Sequence, residues 1–290
     1  MDFVIPGEPI VTEPGCLRGH GTLARRDRDG VLTATVAGAV ERVNKLVSVR
    51  PLRSRYVGEV GDVVVGRILE VGSTRWKVDV RGQQDAVLML SSINLPGGEQ
   101  RRRTAEDQLN MRAFFVEHDL VSAELQARFQ DGSMSLHTRS LMYGKLEEGV
   151  LVTVAPSLMK RLKQHFHAFE FGVHAIFGMN GFIWISVGRP GEGAGADAAE
   201  DAGGAAAAQA SDGTAPDGGR RAGGITRDER ERMCRVRNAI VALAALGITV
   251  SPISVAEVYH ASLAADVAPK AMLLPQVRAE ICAGVHETAS

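Results

Sequence analysis

Between residues 61 and 138 the chain carries five β-type runs, at 63–71, 76–80, 85–90, 120–129 and 134–137, with one short helix signal between the third and the fourth. That order constrains the fold more than any other feature, because five strands with a helix after the third is the order of an OB-fold barrel. The helix signal is sharp: Thr104 can cap it while Asp107 reaches back, and Leu109, Met111, Phe114 and Phe115 give it an apolar side. The loop feeding this helix holds three consecutive arginines, Arg101, Arg102 and Arg103. A basic loop on a barrel rim predicts contact with RNA.

Either side of the barrel the pattern changes. Residues 1–57 are punctuated by Gly and Pro and carry short β-type runs at 31–37 and 45–49, which predicts a small hairpin-rich domain. The Arg-Gly-His-Gly-Thr stretch at 18–22 lacks phosphate-loop spacing and reads as a turn. After residue 147 come a strand at 150–154, a basic amphipathic piece at 157–166 and an apolar stretch at 172–185. Residues 188–224 are almost entirely Gly, Ala, Asp, Glu, Ser and Pro, so burial there cannot offset chain entropy and a disordered, solvent-exposed insertion is expected. Beyond it, Thr226 and Glu229 form a capping box, and Met233, Val236, Ile240, Leu243 and Leu246 recur at helical spacing before Gly247. Two more helices are expected near 254–264 and 269–284, each with an apolar face that needs a sheet.

The totals narrow the function classes. Lys plus Arg (33) nearly cancels Asp plus Glu (34), so a nucleic acid must be attracted by local clusters, which occur at 101–103 and at Lys160, Arg161 and Lys163. Cys16, Cys234 and Cys282 are far apart with no CxxC, which argues against a disulfide framework or a zinc knuckle and for a reducing compartment. With no basic-then-apolar leader and no apolar run near ~20 residues, a soluble, non-secreted chain without membrane contact is expected. Catalytic readings find little support. His165 and His167 are two apart, which on a helix would point them to different sides, and they lack a third ligand at suitable spacing. Acidic pairs Asp27 and Asp29, Glu106 and Asp107, and Asp228 and Glu229 fall on turns or first helical turns, where capping and the helix dipole favour carboxylates. We therefore nominate no catalytic residue, no metal ligand and no cofactor.

Binding readings do better. Arg75, Trp76 and Lys77 place an aromatic between two cations at a strand start, with Trp76 either a stacking platform or a core residue. Arg101, Arg102, Arg103 and Arg112 are the candidates for sequence-independent phosphate contact. Gly178, Asn180 and Gly181 form a Gly-x-x-Gly without a basic residue between the glycines and with a strand-like run after it, which favours a structural role over a backbone clamp.

Residues 91–112 and 135–146 resemble the ribosomal RNA-processing protein 4 family, a cap subunit of the RNA exosome. The shared motifs are Leu-Pro-Gly-Gly at 95–98, Arg-Arg-Arg-Thr-Ala-Glu-Asp at 101–107, Ser-Leu-His-Thr-Arg-Ser at 135–140 and Gly-Lys-Leu at 144–146. Segments 18–22, 40–45 and 56–62 are similar to that family's N-terminal domain. The resemblance implies a mixed β and α+β protein: an N-terminal β-hairpin domain (1–57), an S1-type OB-fold β-barrel (58–142) and a C-terminal KH-type α+β domain (143–290) with the insertion 188–224. It implies a non-catalytic subunit that stabilises a ring of RNase PH-like subunits beside other S1-type cap subunits. That subunit would guide single-stranded RNA into the central channel for 3′-to-5′ degradation and rRNA processing, in nucleus, nucleolus and cytoplasm. In this family the Gly-x-Asn-Gly segment seats where KH and S1 domains pack, so Asn180 is implied to hydrogen-bond across that junction. S1 domains that grip RNA well usually carry an aromatic and a histidine on the third strand, whereas 86–92 reads Ala-Val-Leu-Met-Leu-Ser-Ser, which shifts the expectation toward phosphate contact. Two rivals stay open: an exoribonuclease in its own right, and a protein scaffold in which the three arginines form interface pairs.

Overall fold

Three consecutive valines open a strand of nine residues, and the architecture turns on that strand. A computed structural model describes residues 2–10, 15–24, 31–51, 54–94, 104–187 and 225–286. Arg101, Arg102 and Arg103, the insertion 188–224, and Asp27 and Asp29 lie outside the described residues. The chain divides into two units, 1–54 and 55–290.

The first unit is built from short strands: β1 (Phe3–Val4), β2 (Pro9–Ile10), β3 (Leu17–Arg18), β4 (Thr22–Ala24), β5 (Leu32–Ala34), β6 (Gly38–Val43) and β7 (Leu46–Pro51). They form one sheet in the order β1-β6-β7-β3 and another in the order β2-β5-β4, around Val4, Ile10, Leu32, Ala34, Val47 and Val49. The strand expected over 31–37 is shorter because the chain bends at 35–37 to enter β6.

The second unit begins with the barrel. Its strands are β8 (Val63–Val71), β9 (Arg75–Asp79), β10 (Ala86–Ile93), β11 (Leu120–Arg128) and β12 (Met134–Thr138), in the order β12-β10-β9-β8-β11. A β11–β12 pairing closes the cylinder, and β13 (Gly144–Leu146) extends it from β11. Alternate residues fill the interior, including Val64, Ile68, Trp76, Val78, Leu88, Leu125 and Leu136. The helix between β10 and β11 breaks at Asn110 into α1 (Ala105–Leu109) and α2 (Met111–Phe114). Met111 and Phe115 are buried against the barrel, but Leu109 is 86% exposed, because the break turns it away from the apolar side expected of it.

A second sheet follows, made of β14 (Gly149–Thr153), β15 (Phe166–Ala168), β16 (His174–Phe177) and β17 (Phe182–Ser186) in the order β14-β17-β16-β15, all antiparallel. The helices α3 (Arg227–Ala245), α4 (Pro252–Ala264) and α5 (Pro275–Cys282) cover one face. Thr226 caps α3 with the reciprocal Glu229 contact. The helix expected from 269 begins only at Pro275, behind a tight turn at Ala271–Leu273. The piece expected to be amphipathic at 157–166 is no regular element: a single turn (Pro156–Leu158) leads into an irregular strap that ends in β15. His167 therefore lies on a strand, not a helix, and His165 in the strap just before it.

Strand alternation explains how the barrel and the sheet join. In β17, Ile183 and Ile185 face the helices, while Phe182 and Trp184 join Ile176, Leu146, Val63 and Val65 in a separate apolar cluster. In β8, Val63 and Val65 enter that cluster while Val64 enters the barrel interior. A strand buried on both faces needs an unbroken apolar run instead of alternation, which is what 63–65 and 182–185 supply. Among the described residues no helix is long and apolar enough to cross a membrane.

Candidate nucleic-acid interface

Trp76 settles one open expectation. Its side chain is fully buried, its Nε1 donates to the Phe115 carbonyl oxygen at 3.2 Å, and Phe114 and Phe115 meet it edge-on. It pins α2 to the barrel and has no face left for a base, so the stacking reading is corrected to a core role. Truncating a side chain held this way costs about 3–5 kcal/mol of stability.

Its neighbours in β9 point the other way. Arg75 and Lys77 are exposed, with Lys77 Nζ 2.6 Å from Glu70 Oε2, a contact that holds the Glu70 carboxyl below the usual carboxylate range. Arg75 stands opposite Met89, which is exposed on β10. Arg112 is exposed on α2, 2.6 Å from Glu117 Oε1, and its hydrogen bond lowers the Glu117 carboxyl in the same way. These pairs lie in water, where attraction is weak and salt screens it, so a phosphate can displace either carboxylate.

The arginine loop is bounded by two fixed points. At its start Asn94 Nδ2 donates to the Arg139 carbonyl oxygen at 2.6 Å, where the ends of β10 and β12 pair through Ile93 and Thr138. At its end Thr104 and Asp107 form the capping box of α1. Glu106 and Asp107 serve that first turn, as Asp228 and Glu229 serve α3. Among the described residues no group of three or more His, Cys, Asp or Glu is placed to hold a metal ion.

The Gly178, Asn180 and Gly181 turn joins β16 to β17 and reaches the barrel. Asn180 is fully buried, and its Nδ2 donates to the carbonyl oxygens of Val65 at 2.7 Å and Val80 at 3.2 Å. The Met179 amide donates to the Val63 carbonyl at 2.9 Å. Asn180 Oδ1 lies against Gly178, where a Cβ would come within 2.6 Å of it. Gly181 has φ +81°, and a Cβ there would meet the Val154 carbonyl oxygen at 2.3 Å. Both glycines are thus required by close backbone approach, and the turn joins modules where a backbone clamp would need an open loop.

A second junction contact was not foreseen. Asp62, 7% exposed, accepts from the Tyr56 hydroxyl at 2.7 Å, from the Glu59 amide at 2.9 Å and from Arg161 Nη2 at 3.0 Å, and Arg161 also pairs with Glu59. Burial, then the Asp62 hydrogen bond, pushes the Tyr56 hydroxyl far above its ordinary value. Arg161 belonged to a basic cluster that the sequence offers to a nucleic acid, and Tyr56 and Asp62 to a segment similar to the family's N-terminal domain; the one available signal was an aspartate close behind a tyrosine. Nearby, Arg81 Nη1 donates to the Val154 carbonyl at 2.6 Å with its guanidinium 5.5 Å above the Phe182 ring.

A closed five-stranded barrel with exposed cations, fused through β8 to an α+β sheet domain, defines a protein of S1-type and KH-type RNA-binding domains. The comparisons specify it further. Family models described as "RRP4, S1 domain", "KH domain" and "Exosome complex exonuclease RRP4 N-terminal region" match residues 55–127, 149–190 and 3–43. The exosome complex component RRP4 of Mus musculus is 49% identical over 279 residues, covering 96% of this chain and 87% of the relative. That of Saccharomyces cerevisiae is 52% identical over 63% of this chain and 50% of the relative, and the Rrp4 component of the archaeon Thermococcus kodakarensis is 30% identical over 64% and 71%. The chain belongs to the RRP4 family of exosome complex components.

Proposed function

We propose that the chain is a non-catalytic cap subunit. In this reading it binds single-stranded RNA through the barrel rim, stabilises a ring of RNase PH-like subunits beside other S1-type cap subunits, and guides RNA into the channel for 3′-to-5′ degradation and rRNA processing. Nucleus, nucleolus and cytoplasm are the compartments that go with this role. The observation that carries the reading is the sorting of the barrel's side chains. Trp76 is core, while Arg75 and Lys77 on β9 and Arg112 on α2 are exposed, and the loop of Arg101, Arg102 and Arg103 leads in sequence into α1 and α2. Contacts of that kind go to phosphates and do not read sequence, which suits passage of unrelated transcripts. Glu106 and Asp107, the carboxylates that follow that loop in the chain, sit in the first turn of α1, where Asp107 completes the cap, which supports leaving bond cleavage to other subunits.

Charge reversal of Arg101, Arg102 and Arg103 to Glu in a reconstituted complex tests it. RNA entry should fall at least tenfold with assembly intact. Loss of assembly instead supports the scaffold reading, and degradation by the purified single chain supports the exonuclease reading.

A further inference from the structure

We propose that the cleft between the barrel and the KH-type sheet is a second contact for the ribose-phosphate backbone of single-stranded RNA, with Lys160 and Lys163 as its phosphate ligands. The cleft holds about 350 Å³ and is lined in part by Asp62, Arg161, Leu162, Lys163, His165 and Met179. That lies at the low end of the ~300–1,000 Å³ range of small-ligand sites, which concentrate at domain junctions. It has room for one nucleotide unit, not for a row of peptide side chains.

Charge favours an anion. Arg161 is the strut of the junction, bound to Glu59 and Asp62. Lys163, which lines the cleft, and Lys160, which precedes Arg161 on the same strap outside the lining, are both exposed, and among the described residues neither has an ion-pair partner. Three cations against two carboxylates leave a surplus positive charge, and Asp62 is buried with both oxygens hydrogen-bonded. His165 adds chemistry that selects RNA. Its Nδ1 lies 2.9 Å from the Phe177 carbonyl oxygen, so that nitrogen carries the proton and Nε2 remains an acceptor in the neutral ring. Ammonium groups beside an imidazole acceptor match phosphate oxygens beside a ribose 2′-hydroxyl. Side-chain carboxylates of an acidic peptide offer acceptors only. Val60, Leu162 and Met179 form the apolar part of the lining, against which a sugar or base edge can pack.

The proposal rests on the reading that this chain handles RNA, and its test separates the two. Fluorescein-labelled oligo(U) is titrated with the full-length chain by fluorescence anisotropy across a salt series. Lys160→Glu/Lys163→Glu should weaken binding at least fivefold and lower the salt slope by about 1.4, two phosphates at ~0.7 each for a single strand, with Tm unchanged. The milder Lys160→Gln/Lys163→Gln should move both in the same direction by less. Wild-type affinity and slope in the Glu pair overturn the proposal. So does a labelled deca-glutamate that binds the wild type more tightly than oligo(U) and loses that binding in the Glu pair, which assigns the cleft to an acidic protein partner. If reversal of Arg101, Arg102 and Arg103 leaves oligo(U) binding intact while the lysine pair abolishes it, the rim reading fails and the cleft stands. Absence of oligo(U) binding by the wild type overturns both.

Discussion

Two tyrosines illustrate how single side chains hold this protein together. Tyr56 donates to Asp62 inside the barrel–sheet junction, and Tyr143 donates to Glu124 Oε2 at 3.0 Å beside Phe166. Burial first, and then a carboxylate acceptor, pushes Tyr143 up to about 12 and Tyr56 higher still, from an ordinary value of 10.0. A folded-state value raised above the unfolded one means that stability is fully present below about pH 10 and is lost as pH rises through the folded value. Thermal melts should therefore show Tm falling as pH climbs from about 10 to 12. Tyr56→Phe should start lower, because Asp62 loses a donor, and should fall less steeply. Identical alkaline slopes for the two proteins would contradict this account of Tyr56.

At the scale of elements, the turn between β16 and β17 unites the modules. Asn180→Ala leaves the carbonyls of Val65 and Val80 buried without that donor, which costs about 2–4 kcal/mol. For a protein of this size that is a Tm drop on the order of 5–10 °C. Oligo(U) affinity should stay within about twofold, and a larger effect on RNA than on melting would reject the structural assignment. Much of this level was legible in the chain. The five barrel strands stand out as β-type runs, and the caps at Thr104 and Thr226 are short-range patterns that local chemistry dictates. Trp76 was ambiguous because tryptophan serves equally as core and as platform; only the position of Phe114 and Phe115 above it decides. Leu109 failed because periodicity assumes an unbroken helix, and the kink at Asn110 changes its phase. The strap at 157–166 misled in the same way, since a basic run with interspersed apolar residues imitates an amphipathic helix when the partners lie nearly a hundred residues away. Asp62 and Arg161 show why: their pairing spans 99 positions, which no local pattern encodes.

Over the whole molecule, a net charge of −1 forbids long-range capture of a polyanion, so RNA handling depends on where the cations stand. Burial of β8 on both faces fixes the barrel against the KH-type sheet, and that strand gives the exposed cations Arg75 and Lys77 of the barrel and Lys160 and Lys163 of the strap fixed relative positions. The most direct measurement of this account is the salt dependence of oligo(U) binding by the full-length chain, compared between the wild type and the Arg101→Glu/Arg102→Glu/Arg103→Glu variant. The account predicts that the slope of log K against log salt shrinks by about 2 units, three phosphate contacts at ~0.7 each. An unchanged slope and affinity would contradict it.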